Sequence, residues 1–383
     1  MACELVDKLP YDDDLKGKFC EDLRSFLFDK HRSFLSNPLL LSIMLLTYGQ
    51  SANIPDKLNV FYNQAYEALF ERHDALKGGY SRARKTKLDI QDFARLFSAF
   101  CLQTYDKNQL EFSRLEALSF AEKASHIVGI KTNKEDFLKD CLQAVCLLVE
   151  EGLQIVFSHR SFQEYFTARF ISESSPNVQE KLIAKYSSRM TMDSVLSLLY
   201  EIRPDIIEKH LLLPKLDKLC EVIGYVNAPV TVEHFLKFMQ AAHSKMQFGQ
   251  IESENFSGFV NEKDTHGFSK LSSFIKRFCA ANNGFKESKK TKADTKFLLQ
   301  KYGTVDGSLK VYELNAFTKD DAFIIDLAKH GNFFSIERLQ MLIDVREALK
   351  MKTAEKESSL DAMPFRNSWR LASAMQGFAV SRN

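Results

Sequence analysis

Apolar residues recur at helical spacing along almost the whole chain. That spacing breaks at Val145–Phe157, where two short apolar runs, Val145–Val149 and Gln154–Phe157, are separated by Glu150-Glu151-Gly152-Leu153. A pattern of period 3.6 that gives way to two runs about a turn predicts a mainly α fold carrying one small β-hairpin. Upstream, Asp12–Phe34 places Leu15, Phe19, Leu23, Phe26 and Leu27 on one helical face. Asn37 precedes Pro38, a capping residue before the residue type that suits the first helical position. The spacing predicts a helix over Pro38–Tyr48 ending at Gly49, apolar almost all round and so buried on most sides. Further helices are predicted over Leu58–Ala75, 89–105, 113–128 and 134–145. Behind the hairpin, Ser161 and Glu164 have the S-x-x-E spacing of a capping box, with Phe162, Tyr165, Phe166 and Phe170 on the apolar face.

Helices, a hairpin and a further helix predict a winged-helix domain over 55–173. A helical domain over 1–54 precedes it. The breaker at Ser174–Asn177 opens a helical C-terminal region over 174–383, with helices to about Gln247. A loop-rich insert around 248–296 carries one helix near Leu271–Ala281. The Lys-rich stretch Lys286–Lys301 reads as solvated, and a last long helix is expected over Ser335–Glu355. The tail from Lys356 holds Pro364 and Trp369, the sole tryptophan. No repeat of solenoid length recurs.

The 383 residues suffice for two or three domains, and a net charge of +2 provides no global field for nucleic acid or anionic membrane. The seven cysteines form no C-x-x-C pair and are odd in number, which points to reduced core residues rather than zinc ligands or disulfides. The start, MACELVDKLPYDDD, is not a signal peptide, and the apolar stretch Leu39–Tyr48 is too short to span a bilayer. The chain reads as soluble and cytoplasmic.

Motifs for catalysis are missing. The sole Gly-Lys pair, Gly17-Lys18, is followed by Phe19, and Asp12 stands where a phosphate-binding loop needs its first glycine. No G-x-G-x-x-G, G-x-S-x-G or H-E-x-x-H occurs. Asp12-Asp13-Asp14 reads as the acidic first turn of a helix rather than a metal site. Phe323–Asp326 has the form of a strand ending in an acidic residue. On chemistry alone, Pro38 opens a capped core helix and His159 is a turn histidine.

Taken together, LPYDDDLKGKF, FLSNPLLLSIMLLTY, KLNVFYNQAYEALFERHD and FSHRSFQEYFTARFI resemble the NACHT branch of the STAND ATPases, which includes NOD-like receptors and bacterial anti-phage proteins. The resemblance covers the first 170 or so residues. Those after about 175 are similar only loosely to the helical C-terminal regions of short bacterial NACHT proteins. It implies that Pro38 packs on an adenine base and that His159 reaches the β-phosphate of ADP in a closed, inactive state. The complete family protein binds ADP or ATP with Mg. Walker A and Walker B segments are absent here, so no cofactor and no ATP hydrolysis are expected for this chain alone. A truncated product, a separately encoded half and a fragment are equally compatible with that. The partners implied are a NACHT ATPase domain in cis or trans and an unknown sensed ligand or phage component, with oligomerisation in the complete protein.

The alternative function is a winged-helix DNA-binding regulator. It needs a basic recognition helix and wing, whereas Glu150 and Glu151 stand at the wing and Glu135, Asp136 and Asp140 in the candidate helix. The expected outcome is no salt-dependent shift of duplex DNA at sub-micromolar protein.

Overall fold

The helical spacing is realised as helices almost throughout. The computed structural model describes residues 2–9, 11–28, 35–36, 38–48, 57–72, 84–251, 254–260, 264–279, 292–304, 308–331 and 335–361. The chain divides into two units, Met1–His210 and Leu211–Asn383. No helix among the described residues is long and apolar enough to cross a membrane.

In the first unit, helix α1 (Ala2–Asp7) packs on α2 (Asp13–Asp22) and α3 (Pro38–Tyr48). Asp12 caps α2, its carboxylate accepting the N–H groups of Asp14 at 3.0 Å and Leu15 at 3.4 Å. That is the acidic first turn the sequence predicts. A π-turn, Leu23–Leu27, continues α2, and positions 29–34 of the predicted helix lie outside the described residues. Helix α3 buries Leu40, Leu41, Ile43, Met44 and Leu45, as its apolar circumference requires. Asn37 and Gly49, its expected cap and stop, lie outside the described residues. Helix α4 (Leu58–Arg72) packs on α3, and the Asn59 N–H at its start donates to Glu201 at 2.9 Å.

Helix α5 (Ile90–Asp106), capped by Asp89, is the centre of the unit. Strand β1 (Glu111–Ser113), α6 (Arg114–Val128) and α7 (Lys134–Lys139, continued by a π-turn over Asp140–Ala144) follow it. Strands β2 (Leu148–Glu151) and β3 (Gln154–Phe157) then form the hairpin. Glu150 and Glu151 belong to the strand, so the loop is Gly152-Leu153, and Gly152 takes the positive φ (64°) that tight hairpin loops demand. The sheet order is β1-β3-β2, all antiparallel. Helix α8 (Arg160–Glu173) lies along α5, and α9 (Pro176–Tyr186) and α10 (Val195–Ile202) pack on α8 directly or through its end.

The core between α5 and α8 is aromatic. Phe97 meets Phe166 edge-on at 4.9 Å, and Phe100, Phe112, Phe137 and Phe157 extend the cluster at 5.2 to 6.4 Å. The capping box of this unit is Ser113 with Glu116 at the start of α6. Asp140, buried, accepts the N–H groups of Lys85 and Thr86 and the Thr86 hydroxyl at 2.6 to 2.8 Å, pinning the strand-free segment ahead of α5.

The second unit holds α12 (Leu213–Ile223), α13 (Val232–Ala242), α14 (Phe268–Phe274, with a π-turn to Cys279), α15 (Lys292–Tyr302), α16 (Ala322–His330) and α17 (Ile336–Asp361). The short α11 (Pro204–Ile207) ends the first unit. The expected loop-rich insert is in part a sheet: β4 (Lys245–Ile251) pairs β5 (Glu254–Val260) and β6 (Lys310–Glu313), order β5-β4-β6. Met246 and Phe248 are buried in alternation, which is strand spacing. Gly249 masks it because a Cβ there would run into the Ser308 carbonyl. Phe323–Asp326 lies in α16, not in a strand, and Asp326 accepts from Lys301 at 2.6 Å and from the Tyr302 hydroxyl at 2.7 Å. Arg346 of α17 donates to Asp217 of α12 at 2.6 Å.

Truncating Phe100 to Ala should destabilise the first unit by about 3–5 kcal/mol, because a fully buried ring leaves a cavity that the helices do not close. The check is hydrogen exchange at the α5 and α8 amides, which should lose protection together.

Candidate functional site

His159 stands one residue beyond the end of β3 and is the N-cap of α8. Its Nδ1 accepts the Ser161 N–H at 3.2 Å, and the Ser161 hydroxyl lies 2.6 Å from the same nitrogen. No described residue bonds its Nε2. The expected Ser161–Glu164 capping box is therefore not formed. The helix starts earlier than its apolar face suggests, which carries Ser161 into the first turn and makes the imidazole the cap. Glu164, freed from capping, is buried and accepts from Arg160 Nε at 2.7 Å.

These partners set the charges. Burial lowers the His159 pKa from its ordinary value, and the Arg160 guanidinium lowers it further. Burial pushes the Glu164 carboxyl up, and Arg160 offsets part of that rise. Tyr62 of α4 closes the site from the other side. Its ring stacks on Tyr165 at 5.3 Å and meets Phe162 at 6.0 Å. Neither Tyr62 nor the capping role of His159 is signalled by the sequence, although the His-x-Ser spacing of the motif is what brings Ser161 under the ring.

Pro38 stands exposed at the first position of α3. A cavity of about 490 Å³ opens beside it, walled by Leu5 of α1 and by Lys8, Phe28, Leu35 and Leu41. No hydrogen bond, ion pair or ring contact among the described residues joins Pro38 to His159. Both helices that carry them pack on α4. The seven cysteines are all free, with Cys20, Cys101, Cys141, Cys220 and Cys279 buried. Among the described residues no group of three or more His, Cys, Asp or Glu side chains is placed to hold a metal ion.

A depressed histidine pKa stabilises the fold fully above the ordinary value of about 6.5 and ceases to do so as pH falls through the lower folded value. Replacing His159 with Asn keeps a capping side chain and removes the titration. Going from about pH 7 to pH 5, H159N should therefore lose less thermal stability than the wild type, as read by a paired series of melting curves.

Comparison with known proteins adds a further finding. No curated protein and no solved structure matches the chain significantly. Residues 202–363 match the family model of a short NACHT-associated C-terminal domain, family 13, and so fit a C-terminal part of a NACHT protein.

Proposed function

We propose that the chain is the regulatory and sensor part of a NACHT signalling ATPase that serves bacterial defence against phage. Residues 55–173 act in it as a winged helix whose position follows the bound nucleotide. The observation that carries this reading is the engagement of His159: Nδ1 is held by the helix start, which leaves Nε2 for an acceptor outside the chain. The order α5, β1, α6, α7, β2, β3, with β1 antiparallel to β3, matches that of a winged helix and supports the assignment. The match at 202–363 supports the NACHT context, and the resemblance of FSHRSFQEYFTA to anti-phage proteins supports the defence role.

The residues present fit part of a nucleotide. The cavity beside Pro38 falls in the range of small-molecule sites and accepts a planar base against the proline ring. His159 offers one donor for a phosphate oxygen. A backbone cradle and its lysine would come from an ATPase domain in cis or trans, so we read this chain as non-catalytic. ADP supplies the negative charge that the His159 N–H meets, and such charge-assisted bonds are the strong ones. When the contact is lost on exchange for ATP, the winged helix is released, a two-state element biased by its ligand. Residues 174–383 serve as the sensor of a ligand or phage component.

The exposed Glu150 and Glu151 on the wing repel phosphate backbones and weigh against DNA. Reconstitution tests the proposal. The chain, mixed with a family ATPase domain, should associate more tightly with ADP than with ATP. H159N should weaken the ADP-dependent association about 10- to 100-fold, the worth of a hydrogen bond to a charged group. Absence of association in every nucleotide state would overturn the reading.

A further inference from the structure

We propose that Ser161 is a positioning residue that fixes His159 as its Nε2–H tautomer and so prepares the outward-facing donor of the switch. Only the identity of the acceptor rests on the nucleotide-contact reading above. The tautomer is a property of this chain alone.

Nδ1 of His159 faces the Ser161 backbone N–H at 3.2 Å. A backbone amide can only donate, so a proton on Nδ1 would oppose it head-on. The Ser161 hydroxyl at 2.6 Å is then a second donor to Nδ1. Its single proton is committed there, so both donors of Ser161 meet the same ring nitrogen. The imidazole proton is left on Nε2.

Ser161 is 9% exposed, and the Tyr62 ring packs on Phe162 and Tyr165 of α8, so the helix start that carries both donors is held against α4. Helix α4 also packs on α3, which begins at Pro38. Fixing a ring nitrogen by bonding the other is how proteins select a histidine tautomer.

The test is long-range proton–nitrogen NMR of the full chain labelled with nitrogen-15 only in histidine, with H159N identifying the His159 signals. The wild type should carry its proton on Nε2 with a bare, hydrogen-bonded Nδ1. S161A should raise the Nδ1–H population about tenfold, the effect of one hydrogen bond. S161T should restore the wild-type spectrum. A wild-type proton on Nδ1 overturns the proposal, as does an S161A spectrum identical to the wild type. Should S161A not fold, the wild-type and S161T spectra decide the matter. Reconstitution that finds no nucleotide dependence, together with the expected tautomer, removes the acceptor and leaves the tautomer assignment standing.

Discussion

Phe166 of α8 meets Phe97 on α5 edge-to-face at 4.9 Å, and the aromatic cluster between the helices and the sheet is built around that pair. Edge-to-face rings are worth roughly 0.5–1.5 kcal/mol beyond the area they bury, and here they also fix orientation. Phe100 carries the contact to Phe112 on β1 and Phe157 on β3, so the sheet is seated by the same cluster that holds the helices. Gln163 adds polar registration, donating to the Thr104 hydroxyl at 3.0 Å and the Gln109 carbonyl at 2.8 Å. With α8 locked at Phe162, Gln163 and Phe166, its first turn has no freedom to slide. His159 is positioned because the residues just behind it are.

Much of this is legible in the residues themselves. The apolar circumference of Pro38–Tyr48 and the face containing Phe93, Phe97 and Phe100 are local signals, and so are the two runs about Gly152. The start of α8 is less so. S-x-x-E is a real capping signature, but the same spacing occurs inside a helix, and only the seating of Phe162 decides that His159 comes first. Tyr62 and Tyr165 stand on elements far apart in the chain, as do Asp140 and Thr86. No periodicity connects such pairs, because their meeting is a product of tertiary packing. The β4–β5 hairpin was hidden for a different reason. Gly249, Ser257 and Gly258 lower its strand propensity, and one of those glycines is required by the approach of a neighbouring backbone.

The second unit illustrates what a reading of chemistry leaves untouched. Its helices α12 to α17 carry ion pairs such as Arg346 with Asp217 and Lys301 with Asp326, which tie one helix to another. Nothing in that pattern names a function. The family match falls on this region, whereas the motifs that suggest nucleotide contacts fall on the other. The two kinds of information therefore reach the same NACHT context from separate parts of the chain.

Cys101 on α5 and Cys141 in the π-turn after α7 are fully buried, and burial drives both thiols well above their ordinary pKa, with the Asp140 carboxylate raising Cys141 further. A thiol kept protonated and sealed from solvent is chemically silent, since the thiolate is the reactive form. These two sulfurs become reactive only when the aromatic core opens. They make the first unit its own clock: the rate at which an alkylating reagent marks them measures how often that core breathes, with no label added to the protein.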